Sequence, residues 1–351
     1  MNWFIIIFFL IAIALYVLTK YYLLKKQVKK EHFEKIEAFE NENALPIPEK
    51  LNKQHNVKLE FLTQEEAKGL IDKNDPYIQN MNQPNLHARN CENIEGIYNK
   101  YLNAFDTISK EEEQNIYKFL YELLEEVKQT NPSYHRYLVY WLNRISFAKA
   151  KHWLEAGMPH THKQTLVMDA GWFQFPRKTT FVHELAHVHQ RERPFDFEDV
   201  YEKMGYVYHP DNVRGLEATY SLNRNNPDGL SNKWLWHNRK DGTYWWIGIV
   251  FKTAVPESLG DVNDIAVKLE KSADGEYYYL KQQPLKLTNF KDFNKYFGDN
   301  PNNYQPNEMG AKYSEWFLED IMRDEKSKKY YEYPGYLEYK KFFQNMMDKF
   351  Y

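Results

Sequence analysis

The sequence contains a single cysteine, Cys91, among its 351 residues. One cysteine cannot form an intramolecular disulfide framework, and it excludes the zinc modules that are built from several cysteine ligands. The chain also lacks an excess of either charge, because 46 Lys and Arg are set against 49 Asp and Glu, a formal net charge of −3. Without a basic surplus, nothing in the composition indicates a nucleic-acid partner.

The first two dozen residues, by contrast, contain almost nothing but apolar side chains. From Asn2 to Leu18 there is no charged residue, and the apolar run continues to Leu24. This is about the length that a helix needs to cross a bilayer. No Lys or Arg precedes the run, which favours an uncleaved transmembrane anchor over the alternative, a cleaved signal peptide. We therefore expect contact with the lipid bilayer through residues 3–24.

Positive charges follow on the C-terminal side of this run, at Lys20, Lys25, Lys26, Lys29 and Lys30. Positive residues near a membrane segment tend to remain in the cytoplasm. The pattern therefore predicts a single-pass membrane protein whose main domain lies on the cytoplasmic side.

The rest of the chain alternates helical and strand-like segments. Two capping boxes, Thr63 with Glu66 and Ser109 with Glu112, predict helix starts. A further helix is expected over 134–157, ended by Gly157. "TLVMD" at 165–169 is expected to be a strand, and two Asp-Gly pairs, at 241–242 and 274–275, predict β-hairpins. Helices are then expected from Pro306 and near the C-terminus, an order typical of an α+β domain.

The most informative motif is "HELAH", residues 183–187, within "FVHELAHVHQRER". His183 and His187 are four residues apart, so on a helix both imidazoles project from the same side and can bind one zinc ion. Glu184 is then placed to take a proton from water. Thr179 and Thr180 are the expected N-caps of this helix.

A catalytic zinc site usually has a third protein ligand and one open position. His189 would be rotated away from the ligand side, and Arg193 occupies the position where the compact form of the motif has a third histidine. A later glutamate is the alternative, either Glu308 in "YQPNEMGAKYSEWF" or Glu217 in "RGLEATYSL". Glu308 is favoured, because the small Ala311 beside it on a helix would leave room for the metal helix.

This combination resembles the gluzincin group of zinc metallopeptidases, in which an H-E-x-x-H helix is paired with a glutamate from a downstream helix. The resemblance is carried by "HELAH", "PNEMGAKY" and "MPHTHKQTLVMD", and it covers roughly residues 150 to 320. It implies a zincin-like fold with His183, His187 and Glu308 as zinc ligands and Glu184 as general base and acid. It also implies that "TLVMD" is an edge strand beside the cleft, where a peptide could pair with the backbone.

Five parts are predicted: a transmembrane anchor (1–24), a polar stalk (25–60), a helical N-terminal part (61–150), a zincin-like catalytic core (151–325) with a β-hairpin insertion at about 230–295, and a C-terminal helix (326–351). The predicted fold class is thus α+β, a zincin-like catalytic domain with an N-terminal transmembrane helix. The predicted function is that of a membrane-anchored zinc metallopeptidase, a hydrolase that uses Zn²⁺ and acts on a peptide or protein substrate.

Several points stay open at the level of the sequence. A zinc hydrolase of a non-peptide amide or ester would need the same residues, and so would an inactive binding module that keeps the zincin fold. A hydrolase also needs a donor for the developing oxyanion. The candidate donors are His160, His162, His209, Tyr208 and Tyr304.

Overall fold

The structure is a computed structural model that describes Lys20 and residues 45–350, except 212, 230–232, 280–281 and 300–303. Contacts divide the chain into two compact units, Met1–Gln54 and His55–Tyr351. The first helix that can be described in full, α1, covers Ile47–His55. The elements and sites considered below lie in the second unit.

The predicted transmembrane helix is not supported. Residues 1–24 lie outside the described part of the chain, apart from Lys20. Among the helices that can be described, none is both long enough and apolar enough to cross a bilayer. Among the described residues the fold class is α+β, and the transmembrane part of the prediction is withdrawn. Three predictions depended on this helix and are withdrawn with it. They are the single-pass membrane location, the cytoplasmic orientation and the contact with the bilayer through residues 3–24.

The longest described helix is long enough to cross a bilayer, but its surface is too polar. This helix, Lys110–Thr130, begins at the predicted capping box of Ser109 with Glu112 and buries one apolar face. Its other face carries lysines and glutamates, an amphipathic pattern suited to a protein core with water on one side.

The N-terminal part consists mainly of short helices. They are α2 (Gln64–Lys68), α3 (Pro76–Gln79), α4 (Gln83–Ala88), α5 (Ile94–Leu102), α6 (Lys110–Thr130) and α7 (Pro132–Leu142). The capping box predicted at Thr63 and Glu66 is present at the start of α2. Buried apolar residues of this part, including Ile97, Tyr101 and Phe105, form a core cluster with Ala148 and Val167 of the first sheet.

The helix predicted to reach Gly157 ends much earlier. α7 stops at Leu142, and Ser146–Ala150 forms a strand instead, followed by a 3-10 turn at Leu154–Gly157. Because this strand pairs on both sides and is almost entirely buried, sheet formation outweighs the helical tendency of the local sequence.

The first sheet has five strands: β1 (Glu60–Phe61), β2 (Phe105–Asp106), β3 (Ser146–Ala150), β4 (His160–His162) and β5 (Thr165–Asp169). Its order is β1-β3-β5-β4, with β2 paired to the end of β3. β1, β3 and β5 are parallel, whereas β4 runs antiparallel to β5. "TLVMD" is therefore an interior strand, and the expectation that it forms the edge was wrong. Its continuous apolar run fits a strand that is covered on both sides.

The "HELAH" helix follows this sheet. After α8 (Ala170–Gln174), helix α9 spans Lys178–Glu192 and leads into α10 (Phe195–Lys203). Its N-cap is Arg177, which makes no side-chain cap hydrogen bond. Thr179 and Thr180 lie within the first turn, so the predicted caps were wrong by two to three residues.

In sequence, a second, antiparallel sheet lies between α9 and the helix that carries Glu308. It contains β6 (Tyr206–Tyr208), β7 (Trp234–Asn238), β8 (Thr243–Phe251), β9 (Val262–Lys271), β10 (Tyr277–Tyr279) and β11 (Leu285–Lys286). Both Asp-Gly hairpins are confirmed, as β7–β8 and β9–β10. Helix α11 (Glu217–Tyr220) lies between β6 and β7 in sequence, and α12 (Lys291–Phe297) follows β11.

Two long helices complete the fold. α13 spans Pro306–Ile321, opened by Pro306 as predicted, and α14 spans Pro334–Phe350, with a 3-10 segment at Glu325–Glu332 between them. α13 packs along α9. The small Gly310 makes this close approach possible, because a Cβ atom at that position would lie 2.8 Å from Nε2 of Gln190 on α9.

Candidate metal centre

Three side chains from α9 and α13 converge in the interior. His183 and His187 face each other with their Nε2 atoms 3.2 Å apart. Glu308 approaches both, with Oε2 3.7 Å from Nε2 of His183 and Oε1 3.6 Å from Nε2 of His187. All three side chains offer a ligand atom within 4.8 Å of the others. They are a group that could hold a metal ion.

The separations can be compared with those around a tetrahedral zinc ion. Zinc–nitrogen bonds of about 2.0–2.1 Å place two ligand atoms roughly 3.3 Å apart along the edge of the tetrahedron. The 3.2 Å between the imidazole nitrogens is close to this value, and the carboxylate oxygens lie only a little farther away. The arrangement of the three residues is therefore compatible with a small divalent cation.

The opposite nitrogen of each imidazole is held by an acceptor. Nδ1 of His183 lies 2.8 Å from Oε1 of Glu315, and Nδ1 of His187 lies 3.0 Å from Oε1 of Gln190. A carboxylate and an amide oxygen only accept hydrogen bonds, so both Nδ1 atoms carry a proton. Each Nε2 is thereby turned towards the partner ligands, the arrangement that metal-binding histidines usually show.

Glu308 is also held from outside the cluster. Nδ2 of Asn226 lies 2.6 Å from Oε1 of Glu308 and 2.6 Å from the hydroxyl of Tyr304. Nothing in the sequence predicts this role, because "NRNNPDG" has the composition of an ordinary turn. The tertiary fold brings the turn against α13, where Nδ2 of Asn307 donates to the carbonyl oxygen of Asp228 at 2.8 Å.

Glu184 lies beside the cluster in a cavity of about 240 Å³ that His183, His187 and Glu308 also line. Its side chain is 96% buried, at 4% exposure, and Oε2 has no hydrogen-bond partner in the described structure. Burial, followed by the charge of Asp228, raises the pKa of Glu184 to about 8. A carboxyl group in this state can both accept and release a proton near neutral pH.

The charges of the cluster reinforce one another. Burial alone would raise the pKa of Glu308, but the charge of His187 and hydrogen bonds with both imidazoles hold it far below its ordinary value. Burial opposes protonation of His183 and His187, yet Glu308 and nearby acids outweigh it and raise the pKa of both histidines. The anionic carboxylate is the form that a cation requires.

The competing ligand candidates lie elsewhere. Glu217 is exposed at the start of α11, where Oε1 accepts a hydrogen bond from the backbone N–H of Gly215 at 3.0 Å. His189 is buried on another side of α9, with its ring nitrogens 3.2 Å from the hydroxyl of Tyr137 and 3.2 Å from Oδ2 of Asp196. Neither belongs to the metal-ligand group.

Of the five candidate oxyanion donors, the structure brings two to the cavity, His160 and Tyr304. His162 is buried on the same strand as His160 but is not among the cavity-lining residues. Tyr208 and His209 lie at β6 in the second sheet, where their rings contact Trp234 and Tyr277.

The outer edge of β4 is already occupied next to the cavity. Both the backbone N–H and the hydroxyl of Thr161 donate to Oδ1 of Asp228, at 2.9 and 2.6 Å. A peptide could not use this N–H for strand addition without displacing Asp228. A peptide was expected to pair with "TLVMD" as the edge strand. That strand is interior, and on the actual edge strand, β4, Asp228 blocks such pairing at Thr161.

In comparisons with known proteins, no model of a protein family, no curated protein and no solved structure matches the chain. The assignment of function therefore depends on the residues of this site.

Proposed function

We propose that the protein is a zinc-dependent peptidase in which His183, His187 and Glu308 hold the metal and Glu184 transfers the proton. The observation that supports this most strongly is the placement of Glu184, whose buried Oε2 has no hydrogen-bond partner in the described structure, in the same cavity as three converging side chains that could hold a metal ion. A purely structural zinc site would normally recruit a fourth protein ligand and would have no use for a neighbouring base.

Zinc is the proposed metal because two imidazoles and one carboxylate are the ligand set of a known class of catalytic zinc sites. When bound, zinc would lower the pKa of a water molecule and polarise a substrate carbonyl. Glu315 and Gln190 keep the two imidazoles in the required tautomer and orientation. Asn226, which also donates to the hydroxyl of Tyr304, restrains Glu308.

In the proposed reaction, Oε2 of Glu184 accepts a proton from the attacking water and later delivers it to the leaving amine. A raised pKa suits both steps, since the group must bind the proton and release it within one turnover. The peptide substrate is proposed from the resemblance to gluzincins, and it would bind in the cavity of about 240 Å³ that residues of α9, β4 and the 224–228 turn line.

The experiment is the substitution Glu184→Gln in the full chain, assayed on a diverse peptide library and by metal analysis. Loss of the proton acceptor should reduce kcat by about 10²–10⁴-fold, while zinc content remains that of the wild type. Glu192→Gln, at the exposed end of the same helix, is the matched control and should leave both unchanged. Equal cleavage rates for Glu184→Gln and the wild type would contradict the mechanism.

The same assay, extended to a set of esters and non-peptide amides, decides the substrate class. Hydrolysis of esters or non-peptide amides, with no cleavage of any peptide, would reassign the protein to the non-peptide hydrolases. Zinc binding without turnover of any substrate would leave a binding module.

A further inference from the structure

His160 is a second buried residue of the cavity with one polar atom that lacks a hydrogen-bond partner in the described structure. It is the first residue of β4, it is only 2% exposed, and its Nε2 atom makes no hydrogen bond in the described structure. Like Glu184, it lines the cavity of the metal centre. A buried polar atom without a partner is unfavourable, so its presence in a cavity indicates that something else completes its hydrogen bonding.

The other ring nitrogen shows what that partner must be. Nδ1 of His160 lies 3.0 Å from the carbonyl oxygen of Met158. A carbonyl oxygen can only accept, so Nδ1 carries a proton, and in the tautomer with a single ring proton Nε2 presents a lone pair. In this tautomer Nε2 cannot donate to an oxyanion. It requires a donor, such as an N–H group of a ligand.

The occupied edge of β4 supports the same conclusion. Because the N–H of Thr161 is bound to Asp228, the strand cannot hold a peptide at this residue by the usual exchange of backbone hydrogen bonds. His160, one residue earlier on the same strand and lining the cavity, offers a side-chain acceptor in its place.

We infer that His160 is a substrate-binding residue whose Nε2 accepts a hydrogen bond from a backbone N–H of the peptide close to the scissile bond. The inference builds on the proposed peptidase function and specifies what it recognises: a secondary amide with a free N–H at one defined position. Peptides that are N-methylated there, or that carry proline there, would be poor substrates.

The test compares a cleaved peptide with a series in which each backbone nitrogen near the scissile bond is methylated in turn. For the wild type, methylation at one position should lower kcat/KM by about tenfold more than at its neighbours, as expected for one lost neutral hydrogen bond. In His160→Phe, which keeps a ring but has no acceptor, this position should lose its special sensitivity. His160→Gln, whose amide oxygen can accept, should restore part of it.

His162→Phe is the matched control, since His162 is buried on the same strand and its ring centroid lies 5.3 Å from that of His160. It should retain the wild-type methylation profile, and thermal melting of all variants identifies any that do not fold. If wild type, His160→Phe and His160→Gln all cleaved peptides with identical methylation profiles, the role of His160 would be overturned. The proposed peptidase function would still stand. Failure of the wild type to cleave any peptide would overturn the proposed function, and this inference with it.

Discussion

In the candidate metal-ligand group of His183, His187 and Glu308, the Nδ1 atom of each histidine lies within hydrogen-bond distance of an acceptor. This acceptor fixes the orientation of the imidazole. The pair His183 and His187 could be identified from the sequence, because spacing on a single helix is enough to place both rings on one side. Their acceptors, Glu315 and Gln190, could not be assigned in the same way. Glu315 comes from a helix more than a hundred residues away, and Gln190 has no distinguishing local pattern.

Removal of the acceptor behind His183 should weaken metal binding without removing a ligand. For Glu315→Ala we expect zinc affinity to fall by about 10–100-fold, because the ring would lose its fixed tautomer and orientation. The measurement is competition with a chromophoric chelator. Glu319→Ala, one turn later on α13 and bonded to Tyr330 instead, should bind zinc like the wild type. An unchanged affinity in Glu315→Ala would show that the contact has no role in the site.

Asn226 should behave similarly on the carboxylate side. Asn226→Ala removes the donor to Oε1 of Glu308, so we expect a loss of zinc affinity within the same range of about 10–100-fold. Asn225→Ala is the neighbouring control, since its side chain donates to the carbonyl oxygen of Asn80 and not to the ligand group. If both variants lost affinity equally, the effect would belong to the loop as a whole.

Secondary-structure elements could be predicted from the sequence where neighbouring residues alone determine where an element begins or turns. The two capping boxes, the two Asp-Gly hairpins and the start of α13 at Pro306 all lie where the sequence placed them. The errors occur where pairing partners decide the outcome. β3 replaced the end of a predicted helix because it pairs with both β1 and β5, and "TLVMD" became interior because the His160–His162 segment turned back along it.

The packing of α13 on α9 depends on a small residue at Gly310. In Gly310→Ala the new methyl group would meet the side-chain amide of Gln190, the acceptor behind His187. We expect a loss of about 1–3 kcal/mol in the free energy of unfolding from overpacking, together with weaker zinc binding. Denaturant titrations and the chelator assay measure the two effects.

Gly96→Ala is the control for helix propensity, because Gly96 lies within α5 and its nearest neighbour would be a side-chain oxygen at 3.4 Å. This change should be neutral or stabilise the protein by up to about 1 kcal/mol. Stabilisation by Gly310→Ala of the same size would contradict the close packing described for α13 and α9.

At the level of the whole second unit, the helical N-terminal part is bonded to the 223–229 turn, whose Asn226 restrains Glu308. The side chain of Asn85 bonds the backbone on both sides, donating to the carbonyl oxygen of Asn223 at 2.8 Å and accepting from the N–H of Asn225 at 2.8 Å. These contacts span about 140 residues of sequence, and polar residues in short helices and turns give no signal of such pairing. This connection could not be predicted from the sequence.

A buried ion pair lies in the same region. Arg89 binds both oxygens of Glu155, at 3.0 and 2.8 Å, and Tyr77 and Tyr101 also donate to this carboxylate. Glu155 adopts a left-handed backbone conformation with φ of 46°. Such a conformation persists only where the surroundings determine it strongly, and here the bonded carboxylate supplies that restraint.

The pair should make stability depend on pH in the acidic range. Burial would raise the pKa of Glu155, but the charge of Arg89 outweighs it and lowers the pKa from 4.5 to about 2. The stabilisation is therefore complete above about pH 4.5 and is lost as the pH falls towards 2. Between pH 5 and pH 3 we expect this group to contribute a loss of about 2 kcal/mol in the free energy of unfolding.

The contribution can be isolated with the double variant Arg89→Gln and Glu155→Gln, which removes both charges and avoids leaving one unpaired in the core. Denaturant unfolding at pH 5 and pH 3 should show a smaller decrease for the double variant than for the wild type. Equal decreases in the two proteins would mean that Glu155 does not keep its charge in this interval.

Metal stoichiometry shows whether His183, His187 and Glu308 bind zinc. The wild-type protein, purified and analysed for bound metals, should contain about one zinc ion per chain. Glu308→Ala should lose most of this zinc while remaining folded by circular dichroism, and Glu217→Ala, which alters the exposed acid of α11, should retain it. Two results would contradict zinc binding by these three residues. One is a wild-type protein that contains no zinc after incubation with zinc, and the other is a Glu308→Ala variant with the same zinc content as the wild type.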